Sequence, residues 1–243
     1  MPGAGPPLIG SLQPALVDAG FRGGSEERLL LRGPLVAAQS HGGPKGRKQV
    51  LRWHAAPRTE GEVRVWFNGE EARDGERRAA AALVADGYCL FLLGPMLLAR
   101  RWAAERSLVM GRVGAERITV VGQDHTCDVL RVSMAPGLGF SERDELALFI
   151  DRDERLMRRV RFSLDGLDST QGAVAEVDAS DHVTRHGVRW PTRFHERLLR
   201  PFPLPVHDWR LTGLDVDRGL TRAEIDVPAF TGKAAAPAAA LTP

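Results

Sequence analysis

The sequence predicts an α+β, mainly β fold: a strongly curved antiparallel sheet, an open half-barrel of about nine to eleven strands, with helices covering its concave face. Three observations carry this. Most of the chain alternates apolar and polar residues with a period of two. Turn signals recur at short intervals. One stretch, residues 79–102 (AAAALVADGYCLFLLGPMLLARRW), is mainly apolar and long enough to lie along a sheet. A sheet this large curls because strand twist accumulates, and its hollow face then needs an apolar cover.

In chain order, the Gly- and Pro-rich residues 1–24 read as a flexible arm, 25–230 as one curved-sheet domain, and 231–243 (TGKAAAPAAALTP) as a disordered tail. Ser25-Glu26-Glu27 predicts the cap and acidic first turn of a helix. That helix carries Leu29, Leu30, Leu31, Leu35, Val36 and Ala37, is bent or begun at Pro34, and ends at His41-Gly42-Gly43-Pro44. Lys45, Arg47, Lys48 and Arg52 form a small basic patch, read as a solvated loop or an anion contact. Residues 49–54 and 62–68 read as a strand pair. Val63, Val65 and Phe67 share one face of it, Glu62, Arg64 and Trp66 the other, and Asn68-Gly69 is a turn signal.

The apolar run then divides. Residues 79–85 are good helix formers, Gly87 relaxes the backbone, and Pro95 cannot continue a helix, so two short helices with an elbow near Gly94 are expected. Asp86, Arg100, Arg101 and the Gly94-Pro95 break argue against a membrane span. Strands follow near 108–113, 117–121 and 127–134, with Asp124-His125 in a connection. The clearest hairpin joins 144–151 to 156–164 across Arg152-Asp153-Glu154-Arg155. Short strands at 173–178 and 182–184 precede 187–198, where Pro191 calls for an edge or a bulge. The last pair is 209–217 and 221–227.

Composition narrows the function. A net charge of +2 gives no basis for a nucleic-acid partner. Cys89 and Cys127 form no CxxC motif and read as two buried thiols, with a disulfide left open. The first 24 residues have neither a basic n-region nor a continuous apolar h-region, so no standard signal peptide is visible; a cytoplasmic location and a processed or trimmed start both fit.

The order of segments is itself informative: SHGG, a strand pair closed by WFNGE, YCLFLLGPMLL, CDVLRV, ELALFIDRDERLMRRVRF, then HGVRWPTRF. In this order the chain resembles the lipoprotein-carrier-like (Lol-type) superfamily, and more closely an uncharacterised secreted bacterial branch of it. The resemblance spans roughly residues 26–227. It implies an unclosed curved sheet, helices over its opening, an apolar cavity that binds acyl chains or lipids, and a periplasmic or otherwise exported protein.

Polar chemistry is sparse. His182, His186, His195 and Asp181 would suit zinc or iron if neighbouring strands brought them together, but no HExxH or facial-triad spacing supports it. There is no GxSxG elbow, Walker A or GxGxxG cradle. Asp151, Asp153 and Glu154 read as a solvated hairpin tip. Arg158, Arg159, Arg161, Arg189, Arg193 and Arg197 read as an outer arginine face, solvated or meeting anionic lipid at a membrane surface.

The leading expectation is a non-enzymatic binder of an apolar small molecule or lipid, with no catalytic residue, metal or cofactor assigned and the oligomeric state open. Its lining would come from Trp53, Trp66, Tyr88, Phe91, Leu92, Met96, Leu97 and Trp190, with His41 as the polar contact or as a helix C-terminal histidine. Two rivals stand beside it: an enzyme using histidines (His41, His125 or the 182/186/195 group) in the same cavity, and a structural or interaction module with a filled core.

Overall fold

Among the described residues, twelve strands and one long helix follow one another as β1 (Gly23–Arg32), β2 (Leu35–Gly43), β3 (Gly46–Trp53), β4 (Val63–Phe67), β5 (Glu70–Ala72), α1 (Gly75–Ala104), β6 (Leu108–Val120), β7 (Gln123–Met134), β8 (Asp144–Asp151), β9 (Met157–Ser163), β10 (Val174–Arg185), β11 (Val188–Arg200) and β12 (Leu204–Val216). The computed structural model describes residues 23–32, 35–43, 46–53, 63–104, 108–185 and 187–216, and side chains at 50–52, 63–99, 109–111, 113–185 and 187–214. The strands form one sheet in the order β5-β4-β3-β2-β1-β12-β11-β10-β9-β8-β7-β6. Every neighbouring pair is antiparallel except β1 and β12, which run parallel with Gly23 opposite His207. Two antiparallel meanders therefore meet at one parallel seam, and among the described residues β5 and β6 are the edges of an unclosed sheet.

The expected helix over residues 25–40 is not there. That segment is the β1–β2 hairpin, with Glu26 opposite His41 and Arg32 opposite Leu35. Leucine-rich local sequence suits a helix, but each strand here also pairs with a second neighbour, and this tertiary pairing outweighs local preference. His41 accordingly lies in a strand and not at a helix end. The cover of the sheet is α1 alone among the described residues.

Elsewhere the expected breaks are bridged by continuous strands. Residues 108–120 form one strand in which the register shifts between Arg112 and Gly114, and Gly114 adopts φ +125°. Asp124 and His125 lie within β7, because the turn comes earlier, at Val121 (φ 48°) and Gly122 (φ 75°). Residues 174–185 are likewise continuous, with Asp181 at φ 52° just before His182 pairs with Pro191. Pro191 thus lies in an interior strand in unbroken register with β10, not at the expected edge or bulge, and the pairing of β11 with β12 begins only at Arg193. The β3–β4 pair, the Asn68-Gly69 turn and the β8–β9 hairpin form as the sequence predicts. The strand expected at 221–227, the arm before residue 23 and the tail lie outside the described residues.

Helix α1 starts where its own residues dictate. Asp74 Oδ1 accepts the N–H of Arg77 at 2.9 Å, and Glu76 stands in the first turn, so a carboxylate cap meets the positive end of the helix. At Gly94 the backbone leaves helical geometry (φ 15°, ψ −94°), making the elbow expected before Pro95. A Cβ at Gly94 would lie 2.6 Å from Met157 Sδ, so the helix also meets β9 closely there. By length and composition α1 could cross a membrane, but most of it is buried inside the fold.

The helix touches β2, β3 and β4 on one wing and β9 on the other. One helix reaches both only because the sheet curves around it. Its seat is a buried ion pair. Arg52 of β3, fully buried, donates from Nε to Asp86 Oδ1 at 3.2 Å and from Nη2 to Oδ2 at 3.4 Å and to the Gly139 carbonyl at 3.3 Å. Asp86 also accepts the Gly139 N–H at 2.7 Å. Gly139 adopts φ +60°, and a Cβ there would lie 3.1 Å from the Leu83 backbone, so only glycine lets this loop approach the helix so closely.

Removing one partner of a buried pair strands the other charge. Arg52→Met is expected to cost about 3 kcal/mol in urea denaturation. Arg52→Met/Asp86→Asn, whose amide oxygen still accepts the Gly139 N–H, should be more stable than the single variant; the reverse order would contradict this role.

Candidate functional site

Alternation divides the side chains of β7–β12 between two faces with different chemistry. On the concave face, Phe91 of α1 stands with its ring centroid 5.5 Å from Phe162, 6.4 Å from Phe194 and 6.4 Å from Trp209. Tyr88 meets Trp209 edge-on at 4.9 Å, and Phe194 stacks on Trp209 at 3.8 Å. Beside this cluster a cavity of about 40 Å³ opens between α1 and the sheet. The helix supplies Ala80, Leu83, Val84, Gly87, Tyr88 and Phe91. Strands β9–β12 and the Leu164–Thr170 connection supply the rest, nearly all carbon. Thr170 is satisfied locally, its hydroxyl donating to the Leu164 carbonyl. Glu196 and Arg197 are the charged residues in the wall, and Glu196 is its one carboxylate.

Glu196 lies on β11 between Phe194 and Leu198, opposite His207 of β12. It is 5 % exposed. Its Oε1 accepts the Trp209 indole N–H at 2.8 Å, and Oε2 lies 3.7 Å from His207 Nδ1. The period of two puts 194, 196 and 198 on one face, and a charged residue among apolar ones there is the signal in the sequence; that this face meets the helix comes from the structure.

The other expected lining residues scatter. Leu92 is buried in the same core away from the cavity wall, Leu97 is partly buried, and Met96 is 49 % exposed beyond the elbow. Trp190 is buried and donates its indole N–H to the Arg185 carbonyl at 3.0 Å. Trp66 is fully buried outside the main core cluster, with the Arg64 guanidinium 4.8 Å above its ring. Trp53 and His41 lie on β3 and β2, and their side chains fall outside the described residues.

The convex face is ionic. Arg159 donates to Asp178 (Nε to Oδ1, 2.5 Å) and Arg161 to Glu176 (2.6 Å), while Arg197 reaches both carboxylates. Arg158 donates to Glu154 at 2.6 Å, and Arg189 to its other oxygen at 2.8 Å. Five of the six expected surface arginines are therefore neutralised by carboxylates, and Arg193 is exposed. A small second core, Ile118, Val120, Cys127, Val129 and Phe149, lies on this face, and Cys89 lies in the main one. Both thiols are free and buried; burial, the largest influence, pushes Cys127 up to about 11 and Cys89 further still.

The histidines do not converge. His125 meets Asp151 at 2.6 Å on the convex face, His182 contacts Arg158 at 3.3 Å, and His195 pairs with Asp208 at 2.7 Å. His186 lies outside the described residues. Among the described residues no three His, Cys, Asp or Glu side chains gather as a metal site would require. For Asp151, burial would raise the carboxyl pKa, but the N–H groups of Glu154 and Asp153 and the His125 ring outweigh it and hold the group at about 2.

His182 is pushed down to about 4, first by burial and then by the Arg158 and Arg189 guanidinium groups. Its unfolded value is about 6.5. Because protonation is disfavoured in the fold, its contribution is intact above that value and is lost as pH falls toward about 4. His182→Gln should therefore lose less Tm than the wild type between about pH 7 and about pH 4.5. Identical Tm profiles would contradict the assignment.

No protein-family model matches the chain, and no curated protein matches it. Among solved structures, the chain is similar to a DUF1329 family protein from Desulfovibrio piger, with 15 % identity over 81 % of this chain and 88 % of that one and a TM-score of 0.34. It is also similar to a LolA superfamily protein from Nitrosomonas europaea, with 10 % identity over 80 % of this chain and 89 % of that one and a TM-score of 0.30.

Proposed function

We propose that the protein binds the apolar chain of a small amphiphile between α1 and strands β9–β12, without catalysing a reaction. The observation behind this reading is the carbon-lined cavity beneath the first half of the helix. Sites of this kind are mostly apolar with a few polar groups, and burial of ligand surface drives occupancy at about 25 cal/mol per Å².

The size of the cavity sets the mechanism. About 40 Å³ admits a few atoms, whereas ligand pockets begin at about 300 Å³. A whole acyl chain enters only if α1 moves outward. The helix residues over the cavity, Ala80 to Phe91, straddle Asp86, so such a movement pivots the helix about the Arg52–Asp86 seat. Lipid as the natural ligand and periplasmic placement belong to the same proposal and rest on the sequence resemblance.

The test is titration with N-phenyl-1-naphthylamine, a neutral apolar fluorophore, together with mass spectrometry of organic extracts of the purified protein. Wild type is expected to bind the probe. Ala175→Ile, which fills the cavity from β10, should weaken binding by about tenfold or more while changing stability by about 1 kcal/mol or less. A wild type that binds no probe and yields no lipid would leave the filled-core module as the reading.

A further inference from the structure

A carboxylate in the wall of an apolar cavity is costly to bury and is retained only with partners. Glu196 has two, yet they do not exhaust it. An ionised carboxylate offers about four acceptor positions. The Trp209 indole N–H fills one, and His207 Nδ1 stands at 3.7 Å, beyond a hydrogen bond. The side chain is 6 % exposed and forms part of the cavity wall, so the remaining capacity lies beside the space a ligand would take. Of the other polar residues there, Thr170 spends its hydroxyl on backbone carbonyls, and Arg197 carries its guanidinium to Glu176 and Asp178 on the opposite face. Tyr88 also stands in the wall, so among the described lining residues Glu196 is the one carboxylate.

We propose that Glu196 reads the polar end of the ligand, so that the site takes amphiphiles whose head donates a hydrogen bond and bears no negative charge. Long-chain alcohols and long-chain amines fit this description, and the long-chain carboxylate of equal length does not. A hydroxyl or ammonium head completes the acceptor set of Glu196. A carboxylate head sets two like charges together in a region of low dielectric, which disfavours ionisation of both. Unbroken pairing with β10, Val177 opposite Glu196 and Glu176 opposite Arg197, keeps the alternation of β11 intact here. Successive charged residues are sent to opposite faces there: the acid faces the cavity and the base the ionic surface.

This inference rests on the cavity-binding reading, and one experiment separates their failures. Dodecylamine, dodecanol and dodecanoate are titrated against full-length protein loaded with N-phenyl-1-naphthylamine at neutral pH. With wild type, the amine and the alcohol should each displace the probe at about tenfold lower concentration than dodecanoate. With Glu196→Gln, which keeps an acceptor for Trp209 but removes the charge, the gap between amine and dodecanoate should fall below about threefold while the alcohol still competes. Equal competition by all three heads in the wild type, or an unchanged order in the variant, overturns the role of Glu196 and leaves the cavity reading standing. No competition by any of them, with no probe bound, overturns both. The wild-type comparison needs no substitution, so an unstable Glu196→Gln still leaves a decisive result.

Discussion

An open, curved sheet of this size has an apolar hollow that its own strands cannot close, and the rest of the structure follows from the need to fill it. A single kinked helix does so. Its N-terminal half carries Ala80, Leu83, Val84, Tyr88 and Phe91 onto the sheet, and the Arg52–Asp86–Gly139 contact fixes its height above the strands. A buried ion pair is a poor source of net stability but a strict positional device, because neither charge tolerates the loss of the other. The seat therefore determines where the helix lies, and the fit of small residues such as Gly87 and Ala80 beneath it determines how much space remains.

The two faces of the sheet divide the work. The concave face gathers the aromatic cluster around Trp209 and holds the cavity. The convex face sets Arg159, Arg161 and Arg197 over the nearly buried carboxylates of Glu176 and Asp178. That network ties β9, β10 and β11 together from outside, so a ligand that spreads the inner face works against strands laced on the outer one. The parts suited to movement are then the helix and the loop that touches it, not the strands.

Much of this was legible in the chain. The alternation of 156–164 placed Val160 and Phe162 opposite Arg159 and Arg161, and Gly94-Pro95 located the elbow, because both depend on local rules of period and φ. The β1–β2 hairpin was not legible. Its leucines satisfy a helical pattern, and the deciding factor is a parallel partner, β12, about 180 residues further on. The strand breaks expected near 114 and 181 failed for a related reason: a positive φ marks a bulge at Gly114 and interrupts no register at Asp181, and only the partner strand distinguishes these from a turn. The cavity wall was half legible. Tyr88 and Phe91 follow from the apolar run, whereas Glu196 requires knowing that β11 is interior and that its even-numbered residues face the helix.

The claim on which the functional account turns is that α1 lies over space an apolar chain can occupy by displacing it. A crystal structure of the protein saturated with dodecylamine tests this most directly. The account predicts the alkyl chain between Phe91 and Val177, the ammonium at Glu196, and the first half of α1 shifted outward about its Asp86 seat. An unmoved helix over an empty cavity, with dodecylamine only on the outer surface, would contradict it.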